Sequence, residues 1–444
     1  MYKINIDHST STVRLPFHSK KYSYLTHTHV NLTYGIQEYR VFVVLDPSLS
    51  DGEIIVSANI IEKLSIPLEP LFDLKVLGQN GIKIGPYIGI LAALSSEKLS
   101  RIVSSLTSYV HHYKQIGGSI IAFSLEGIDK KNQVIEGYLF NPQTRQWIKG
   151  NYPYPASLFS IVEANLTDKW QQFQSIMHHF KSELNDSVYN FPNFDKWDMY
   201  KMLKNEFHQH LPETVVYQSP LTIIEMLKKH RSVYIKPMNG RLGRLVYKVI
   251  KTKNGAIVQF GGRRREQDRY FSSKKQFMRF FYYSLKNDDY LIQQSISLLT
   301  YKQRVIDFRV ILVKDHKKRW KILETVSRFG ADQSIVSNIS SGGRAEIAHK
   351  TFTERFHIPI ELQKDLFQRI HNLVLNSIQK IESNGYHCGN IGFDIGIDQN
   401  FHLWIIEINN QNPDHYIALS ANSAPLFYQA RFHNMIYAKR LAGF

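Results

Sequence analysis

Residues 392–409 read GFDIGIDQNFHLWIIEIN, two apolar stretches separated by a polar Gln-Asn turn. Alternating apolar residues around a short turn predict a β-hairpin. Glu407 and Asn409 are two residues apart, so on a strand they share one face, and Ile406 and Ile408 are expected on the other. The hairpin therefore presents a carboxylate and an amide from one strand on the same side.

Asp394 lies on the first strand of this hairpin, where a short turn brings it within cross-strand reach of Glu407. Two carboxylates and an amide oxygen, without sulfur or imidazole, suit a hard cation such as Mg²⁺. The alternative is a group of polar residues on the solvent face of a hairpin. Glu407 and Asn409 interrupt an otherwise apolar strand, however, and a charge placed there usually needs a partner such as a metal. Asp394, Glu407 and Asn409 are therefore the candidate metal ligands.

A second motif is YIKPMNGRLGR, residues 234–244. Lys236 ends an apolar strand, and the loop after it contains Gly240 and Gly243 together with two arginines. Glycines let backbone N–H groups close on phosphate oxygens, and lysine adds a point charge. The spacing is not that of a Walker A loop. A plain hairpin turn is the alternative explanation.

Two further stretches are less specific when taken singly. DYLIQQSI, residues 289–296, predicts a strand that runs into a short connection, and DFRV, residues 307–310, predicts the start of the next strand. Each is compatible with an ordinary strand end. They become informative because they follow the lysine motif in a particular order along the chain.

The predicted elements indicate an α+β and α/β protein with three regions. Residues 1–85 predict short strands, residues 86–190 predict an α/β layer, and residues 191–444 predict helices on antiparallel sheets. Within these regions we predict a helix over 99–113 and another over 165–184. Later predictions include a helix over 274–284, a strand over 290–294 and a helix over 361–383.

Composition limits the classes of function. The chain has 444 residues, a formal net charge of +17 and one cysteine, Cys388, so no intrachain disulfide and no cysteine-rich zinc site can form. The N-terminus lacks a signal pattern and no apolar run is long enough to span a bilayer, which predicts a soluble protein of a reducing cytosol. The excess of Lys and Arg over Asp and Glu favours polyanionic partners. Neither dense cluster (residues 263–265 and 314–321) is interleaved with aromatic residues, so nucleic acid is not the expected ligand.

The order of motifs resembles that of the ATP-grasp superfamily. In particular, the chain resembles the YheC/YheD family of endospore coat-associated ATP-grasp proteins over roughly residues 85–440. The stretches that carry this resemblance are IGPYIGIL, NFPNFDKW, LPET, YIKPMNG, DFRVIL, SNISSGG and FDIGID…IIEIN. The resemblance implies an ATP-grasp fold, in which two α+β subdomains clasp ATP, preceded by an α/β pre-grasp domain and a β-rich N-terminal region.

The resemblance also implies roles for individual residues. Lys236 would hold the α- and β-phosphates, with Gly240 and Gly243 in the phosphate loop, and Lys196 would be an earlier lysine that faces the nucleotide. Gln293, Gln294 and Ile296 would form the strand against adenine, and Asp307 would lie near the ribose or the phosphates. Asp394, Glu407 and Asn409 would bind Mg²⁺. Arg309 or Arg328 would neutralise charge on the transferred phosphoryl group or on an acyl-phosphate.

The function implied by the resemblance is an ATP-dependent carboxylate–amine or carboxylate–thiol ligase, with ATP and Mg²⁺ as cofactors and a peptide among the candidate substrates. Its expected location is the mother-cell cytoplasm or the spore coat, with coat proteins as candidate partners. The alternative is a coat-associated scaffold that keeps the fold and binds nucleotide without turning it over.

Overall fold

The computed structural model describes the chain except residues 17–24, 26–27, 79, 163–167, 240–244, 262–265, 287–288, 333–341 and 414, and it describes residues 28, 261 and 266 by their backbone alone. The chain forms two compact units. The first comprises Met1–Phe191, Lys314–Arg319 and Tyr428–Phe444, and the second comprises Pro192–Val313 and Trp320–Phe427. The division into regions 1–85, 86–190 and 191–444 stays a prediction.

The first unit begins with a mixed sheet, as the strand-rich sequence predicts. Its strands are β1 (Lys3–Asp7), β2 (Thr12–Pro16), β3 (Thr28–Tyr34), β4 (Gln37–Asp46), β5 (Glu53–Ser57), β6 (Asp73–Leu77) and β7 (Gly81–Gly85), in the order β1-β5-β2-β4-β3-β7-β6. Helix α1 (Ala58–Leu64), which the sequence analysis did not predict, buries Ile60 and Leu64. Tyr2 exchanges backbone hydrogen bonds with Phe72, so the two outermost strands are joined at their starts.

A second sheet of the first unit is centred on a fully buried strand. Its strands are β8 (Tyr87–Ala93), β9 (Ser119–Asp129), β10 (Val134–Asn141), β11 (Gln146–Pro153), β12 (Ser157–Ser160) and β13 (Val188–Tyr189), in the order β11-β10-β9-β8-β12-β13. Every residue of β8, YIGILAA, is buried, and β8 pairs in parallel with β9 and β12. A continuous apolar run is typical of a parallel strand covered on both faces.

The helix predicted over 99–113 is wrong as a single element. The structure has α2 (Ser96–Ile102), a 3₁₀ segment (Val103–Ser108) and a short α3 (Tyr113–Ile116). The hydroxyls of Ser105 and Ser108 each donate to the backbone carbonyl three residues earlier. Such local bonds compete with the α-helical pattern, and they accompany the tighter 3₁₀ turn here. Helix α4 (Trp170–Leu184) follows within the region predicted as helix over 165–184.

The second unit contains a sheet backed by two helices. Helix α5 (Lys196–Phe207) comes first in the chain, and the sheet and its two helices follow: β14 (Thr214–Val216), α6 (Pro220–Lys229), β15 (Ser232–Pro237), β16 (Tyr247–Thr252), β17 (Gly255–Gly261), β18 (Glu266–Phe271), α7 (Lys274–Ser284) and β19 (Tyr290–Gln294). The strand order is β14-β19-β15-β16-β17-β18. Val233 and Ile235 pack with residues of α6 and α7 in one core. Because side chains alternate along a strand, Tyr234 and Lys236 lie on the opposite face.

The other sheet of the second unit has the order β23-β22-β21-β24-β25, with β20 paired to β21. Its elements are β20 (Thr300–Tyr301), β21 (Arg304–Lys314), β22 (Trp320–Phe329), β23 (Arg344–Ile347), α8 (Ala348–Lys350), α9 (Ile360–Ser383), β24 (Asn390–Ile397), β25 (Leu403–Asn409) and α10 (Tyr416–Ser420). Phe308 and Val310 pack with α9 residues in the core. Asp307 and Arg309 alternate with them and lie on the other face.

Short helical turns complete the described elements: 3₁₀ segments at Asn185–Ser187 and His208–His210, and a π-helical turn at Thr351–Arg355. The last helix is α11 (Ala424–Leu441), which the sequence analysis did not predict. Its residues Met435, Tyr437 and Ala438 belong to a core of the first unit. No helix among the described residues has the length and apolar character needed to cross a bilayer.

Candidate active site

The predicted hairpin is formed by β24 and β25, and Asp394 is the direct cross-strand partner of Glu407. The pairing register shifts immediately after this pair, because the next paired residues are Ile395 and Ile405. Ile406 is therefore an extra residue in β25, a β-bulge. Strict alternation, which would put Ile406 on the buried face with Ile408, is wrong at this point. A bulge redirects the side chains beside it, and here it lies directly next to Glu407.

Asn409 completes this group. Its Nδ2 atom lies 3.4 Å from Asp394 Oδ2 and 3.4 Å from the carbonyl oxygen of Gly392. The side-chain amide can therefore contact Asp394 while its own oxygen is available to other partners. The three predicted metal ligands thus lie together on adjacent strands.

Asp307, Arg309, Arg328 and Asp394 form a buried cluster of four charges. Arg328 Nε donates to Asp307 Oδ1 at 2.7 Å. Arg328 Nη2 lies 2.9 Å from Asp394 Oδ2. Arg309 is the cross-strand partner of Asp394 and donates to it through Nε and through Nη2, the latter at 3.1 Å. The cluster pairs two cations with two anions, which is the condition under which buried charge is tolerated.

This cluster determines the protonation of its members. Burial would raise the pKa of Asp394, but Arg309 and Arg328 outweigh burial and hold that pKa below its ordinary value. Burial would likewise lower the pKa of Arg328, and the carboxylates of Asp307 and Asp394 outweigh it and raise the pKa. Asp394 is therefore ionised at neutral pH, as a metal ligand or an arginine partner must be.

Lys236 ends β15 with only 9% of the residue exposed. Its Nζ donates to Gln293 Oε1 at 2.8 Å, and Gln293 Nε2 donates to Thr214 Oγ1 at 2.9 Å. Thr214 in turn donates its hydroxyl proton to the carbonyl oxygen of Pro212 at 2.8 Å. Because lysine only donates and the threonine proton is already used, the orientation of the Gln293 amide is set from both ends.

Burial lowers the pKa of Lys236 to about 8. The nearby carboxylates of Glu407 and Asp394 act in the opposite direction, and the nearby Lys196 adds to the lowering. The two sheets of the second unit therefore bring their charged residues into electrostatic reach of one another. The carboxylates near Lys236 therefore do not fully offset the effect of its burial, and the lysine loses its proton only slightly above neutral pH.

Lys196 is the first residue of α5, which begins with a capping box between Asp195 and Asp198. Its Nζ lies 3.3 Å from Glu407 Oε1. The start of the helix therefore places a lysine predicted to face the nucleotide beside one predicted metal ligand. In this arrangement Lys196 and Glu407 neutralise each other.

The other predicted nucleotide residues have more varied positions. Gln294 closes β19, where its backbone N–H donates to the carbonyl of Glu213 at 2.8 Å and its side-chain Oε1 accepts from the backbone N–H of the same residue at 3.1 Å. Ile296 follows the strand, and its carbonyl accepts from Leu298 at 3.0 Å. Gly240 and Gly243 lie outside the described residues, so their place in a phosphate loop stays a prediction.

Sequence reasoning missed the role of Thr214 and a link made by Asn410. Thr214 lies in the LPET stretch that carries part of the family resemblance, so a signal was present there. Asn410 is buried and donates from Nδ2 to the carbonyl oxygen of Phe194 at 2.8 Å. This bond ties the segment after β25 to the NFPNF stretch that precedes α5. Nothing in the local sequence pattern pointed to that pair.

The ligand set of this site fits a magnesium ion in its chemistry. Asp394, Glu407 and Asn409 offer oxygen atoms only, which is the donor type that Mg²⁺ prefers. No cluster of three or more His, Cys, Asp or Glu side chains suited to a metal occurs in the part of the chain that the structure describes, so a metal here would rely on the asparagine as well. It would also have to compete with Lys196 for Glu407 and with two arginines for Asp394.

Comparison with known proteins places these residues in a family context. A family model described as "YheC/D like ATP-grasp" matches residues 185–441, more than half of the chain, and this range includes every predicted site residue. The chain is 26% identical over 371 residues to the endospore coat-associated protein YheD of Bacillus subtilis (strain 168), which covers 81% of this chain and 79% of that protein. It is 22% identical over 219 residues to the endospore coat-associated protein YheC of the same strain, covering 49% and 59% of the two chains.

Among solved structures, the ATP-grasp ligase PsnB complexed with a minimal precursor is similar with a TM-score of 0.46 and 12% identity, over 80% of this chain and 99% of that one.

Proposed function

The chain belongs to the YheC/D-like ATP-grasp family, and from that premise we propose that its second unit binds Mg-ATP and uses it to join a carboxylate to an amine or a thiol. The proposal has two parts, nucleotide binding and catalysis, which the residues of the site support to different degrees. Each part has its own experiment.

Nucleotide binding is supported chiefly by Lys236. A lysine that is buried and has a pKa of about 8 is destabilising unless an anion compensates it, and a nucleotide phosphate is such an anion. Lys196 adds a second cation beside the same carboxylate, Glu407. In this proposal both lysines contact phosphate oxygens. Gln294 and Ile296 lie against adenine, and Gln293 contributes by holding Lys236.

Catalysis in this proposal follows the chemistry of an acyl-phosphate. An oxygen of the substrate carboxylate attacks the γ-phosphorus of ATP, the bond to the β–γ bridging oxygen breaks, and ADP leaves. The amine or thiol then attacks the acyl carbon, loses its proton and expels inorganic phosphate. No side-chain nucleophile is required, so the protein acts by positioning and by neutralising charge.

Mg²⁺, when bound by Asp394, Glu407 and Asn409, would supply charge neutralisation for the β- and γ-phosphates. Arg309 and Arg328 are held beside Asp394 in the structure. A cation held by Asp394 would share the charge of that carboxylate with both guanidinium groups. The arginines could then turn their donors to the transferred phosphoryl group, which is the role we propose for them.

A non-catalytic scaffold is the second candidate, and one observation favours it. The predicted metal ligands already have cationic partners, since Lys196 lies beside Glu407 and two arginines lie beside Asp394. A protein that kept these ion pairs with nucleotide bound would lack a free metal ligand and would transfer no phosphoryl group. Its role would then be structural.

The cellular part of the proposal rests on the relatives alone. Two relatives are named as endospore coat-associated proteins. We therefore propose that this chain acts in the mother-cell cytoplasm or at the spore coat, with a peptide as the substrate class and coat proteins as partners.

A screen for ADP release tests the catalytic proposal. The purified protein is incubated with Mg-ATP and pools of amino acids and peptides, and ADP is measured with and without each pool. Acceptor-dependent ADP formation that is lost in Glu407→Gln and kept in Glu361→Gln supports the ligase. Glu361 is the control because it is exposed at the start of α9 and is not one of the predicted site residues. Tight Mg-ATP binding without ADP formation in any pool, coat extract included, supports the scaffold.

A further inference from the structure

Helix α7 has an exposed face whose composition differs from that of an ordinary solvated helix. Phe277 and Phe281 of this helix are buried in the core of their sheet. The exposed side chains of this helix include Lys275, Arg279, Tyr282 and Tyr283, and Lys286 is exposed two residues beyond its end. We call this set the α7 face. Tyr282 is 59% exposed and Tyr283 is 63% exposed, so both rings remain largely in water.

The charges of the α7 face have no compensation within it. Helix α7 reads KKQFMRFFYYS and contains neither Asp nor Glu. Among the described residues, Lys275, Arg279 and Lys286 form no ion pair. Arg269 of the edge strand β18 adds another cation at the side of the helix, where its guanidinium lies 5.2 Å from the ring centroid of Phe280.

Asp288 lies outside the described residues, and the described carboxylates nearest along the chain are Asp268 and Asp289. Asp268 accepts hydrogen bonds from Gln259 at 3.2 and 3.3 Å, and Asp289 is exposed beyond the helix end. A basic surface without ion pairs to described carboxylates attracts an anionic partner and orients it during encounter.

The aromatic residues distinguish between kinds of anionic partner. Tyr282 and Tyr283 contact each other edge to face, with ring centroids 5.3 Å apart and an interplanar angle of 86°. Arg279 lies over the ring of Tyr283 at 6.0 Å. A platform for successive nucleic-acid bases needs open ring faces. Here part of the ring surface already contacts a neighbour, whereas Tyr and Arg side by side are typical of the centre of a protein interface.

We propose that the α7 face docks an acidic segment of a partner protein. Carboxylates of that segment pair with Lys275, Arg279 and Lys286, and an apolar side chain packs against Tyr282 and Tyr283. The α7 face lies on the helix-covered side of its sheet, whereas Lys236 lies on the opposite face. Partner binding is therefore separate from the nucleotide site, and it does not depend on the proposed catalytic function.

Binding of synthetic probes to the full chain tests this proposal. The probe is a short fluorescent peptide of alternating Glu and Leu, compared with its Gln-for-Glu analogue and with a single-stranded oligothymidylate. We expect the acidic peptide to bind, and both Arg279→Glu and the double variant Tyr282→Ser/Tyr283→Ser to weaken it at least about tenfold, as loss of an interface hot spot does. All substituted side chains are exposed, so the melting temperatures should stay within about a degree of wild type.

Two controls match these changes. Lys98→Glu makes the same sign of charge change at an exposed position of α2, and Tyr270→Ser removes another exposed tyrosine from β18. Both should leave peptide affinity within about twofold, since neither belongs to the α7 face. The proposal is overturned if the wild-type chain fails to bind the acidic peptide, or if the variants and controls lose affinity equally. It is also overturned if oligothymidylate binds more tightly than the peptide and responds to the same variants.

Discussion

Arg309 and Asp394 face each other across β21 and β24 and are joined by two side-chain hydrogen bonds, although they lie 85 residues apart in the sequence. Arg328 reaches the same carboxylate from β22 and also holds Asp307. Asp394 thus has two cationic partners in the protein alone. Under the proposed function, a metal at Asp394 would compete with both arginines for this carboxylate.

This arrangement predicts unequal costs for removing the two arginines. Arg328→Met should lower the free energy of unfolding by about 3–5 kcal/mol, because both carboxylates lose a buried partner. Arg309→Met should cost less, because Asp394 keeps Arg328 and the contact with Asn409. Urea unfolding of both variants at neutral pH measures the difference. Equal costs, or a larger cost for Arg309→Met, would mean that the two arginines do not share Asp394 in this way.

A second prediction concerns stability and nucleotide binding at Lys236. Its folded pKa of about 8 lies below the value near 10.4 of an unfolded chain, so the folded state binds fewer protons between these pH values. Stability should therefore rise as pH increases through this window, and keeping the lysine charged at pH 7 costs about 3 kcal/mol. At pH 7, we expect the free energy of unfolding of Lys236→Met to be no lower than that of wild type. At pH 10, where the wild-type lysine is mostly neutral in the folded state, any excess stability of the variant over wild type should be smaller.

The same variant should lose most of its response to Mg-ATP. A ligand that binds only the folded state at a hundred times its Kd stabilises that state by about 2.7 kcal/mol, which corresponds to several degrees in Tm. Thermal scans of wild type, Lys236→Met and the exposed control Lys228→Met, each with and without Mg-ATP, provide the comparison. A full ligand-induced shift in Lys236→Met would remove Lys236 from the nucleotide site.

A third prediction separates the positioning role of Gln293 from a purely structural one. If Lys236 must be charged to hold phosphate, Mg-ATP affinity should fall as pH rises above about 8. Gln293→Glu would place a carboxylate beside the Lys236 ammonium, raise its pKa and move the fall in affinity to higher pH by at least about one unit. Calorimetric titration from about pH 6 to 10 measures the profile. Gln293→Leu is the control, since it removes the hydrogen bond without adding charge, and its profile should not move upward.

A fourth prediction tests the metal ligands. Glu407→Gln should keep the fold but weaken Mg-dependent nucleotide binding, because a carboxylate is replaced by a neutral and poorer ligand. Asp394→Asn should act in the same direction, with an added loss of stability because two arginines lose their shared anion. Nucleotide binding measured at several Mg²⁺ concentrations reports the effect, with Glu361→Gln as the control. Wild-type Mg²⁺ dependence in both site variants would show that the metal assignment is wrong.

Local sequence patterns were enough to predict the type and the limits of several elements in the second unit. Helix α7 (Lys274–Ser284) and strand β19 (Tyr290–Gln294) begin and end where their periodicity predicts, and the β24–β25 hairpin forms around the predicted turn. These features depend on residues close together along the chain, where alternation, helical spacing and turn composition act directly. The family motifs added the order of the site residues, although they could not pair them.

The contacts between distant side chains depend on how the strands pair and pack. Lys236 and Gln293 are 57 residues apart, and their bond exists because β15 and β19 pair in one particular register. The bulge at Ile406 likewise depends on how β24 and β25 align, which local alternation cannot anticipate. A shift of one residue in a strand moves its side chains to the opposite face, and register is selected by the packing of the whole sheet. The sequence therefore allowed residues to be assigned to a site. It did not allow their partners or their pKa shifts to be predicted, because these depend on burial and on distances between strands.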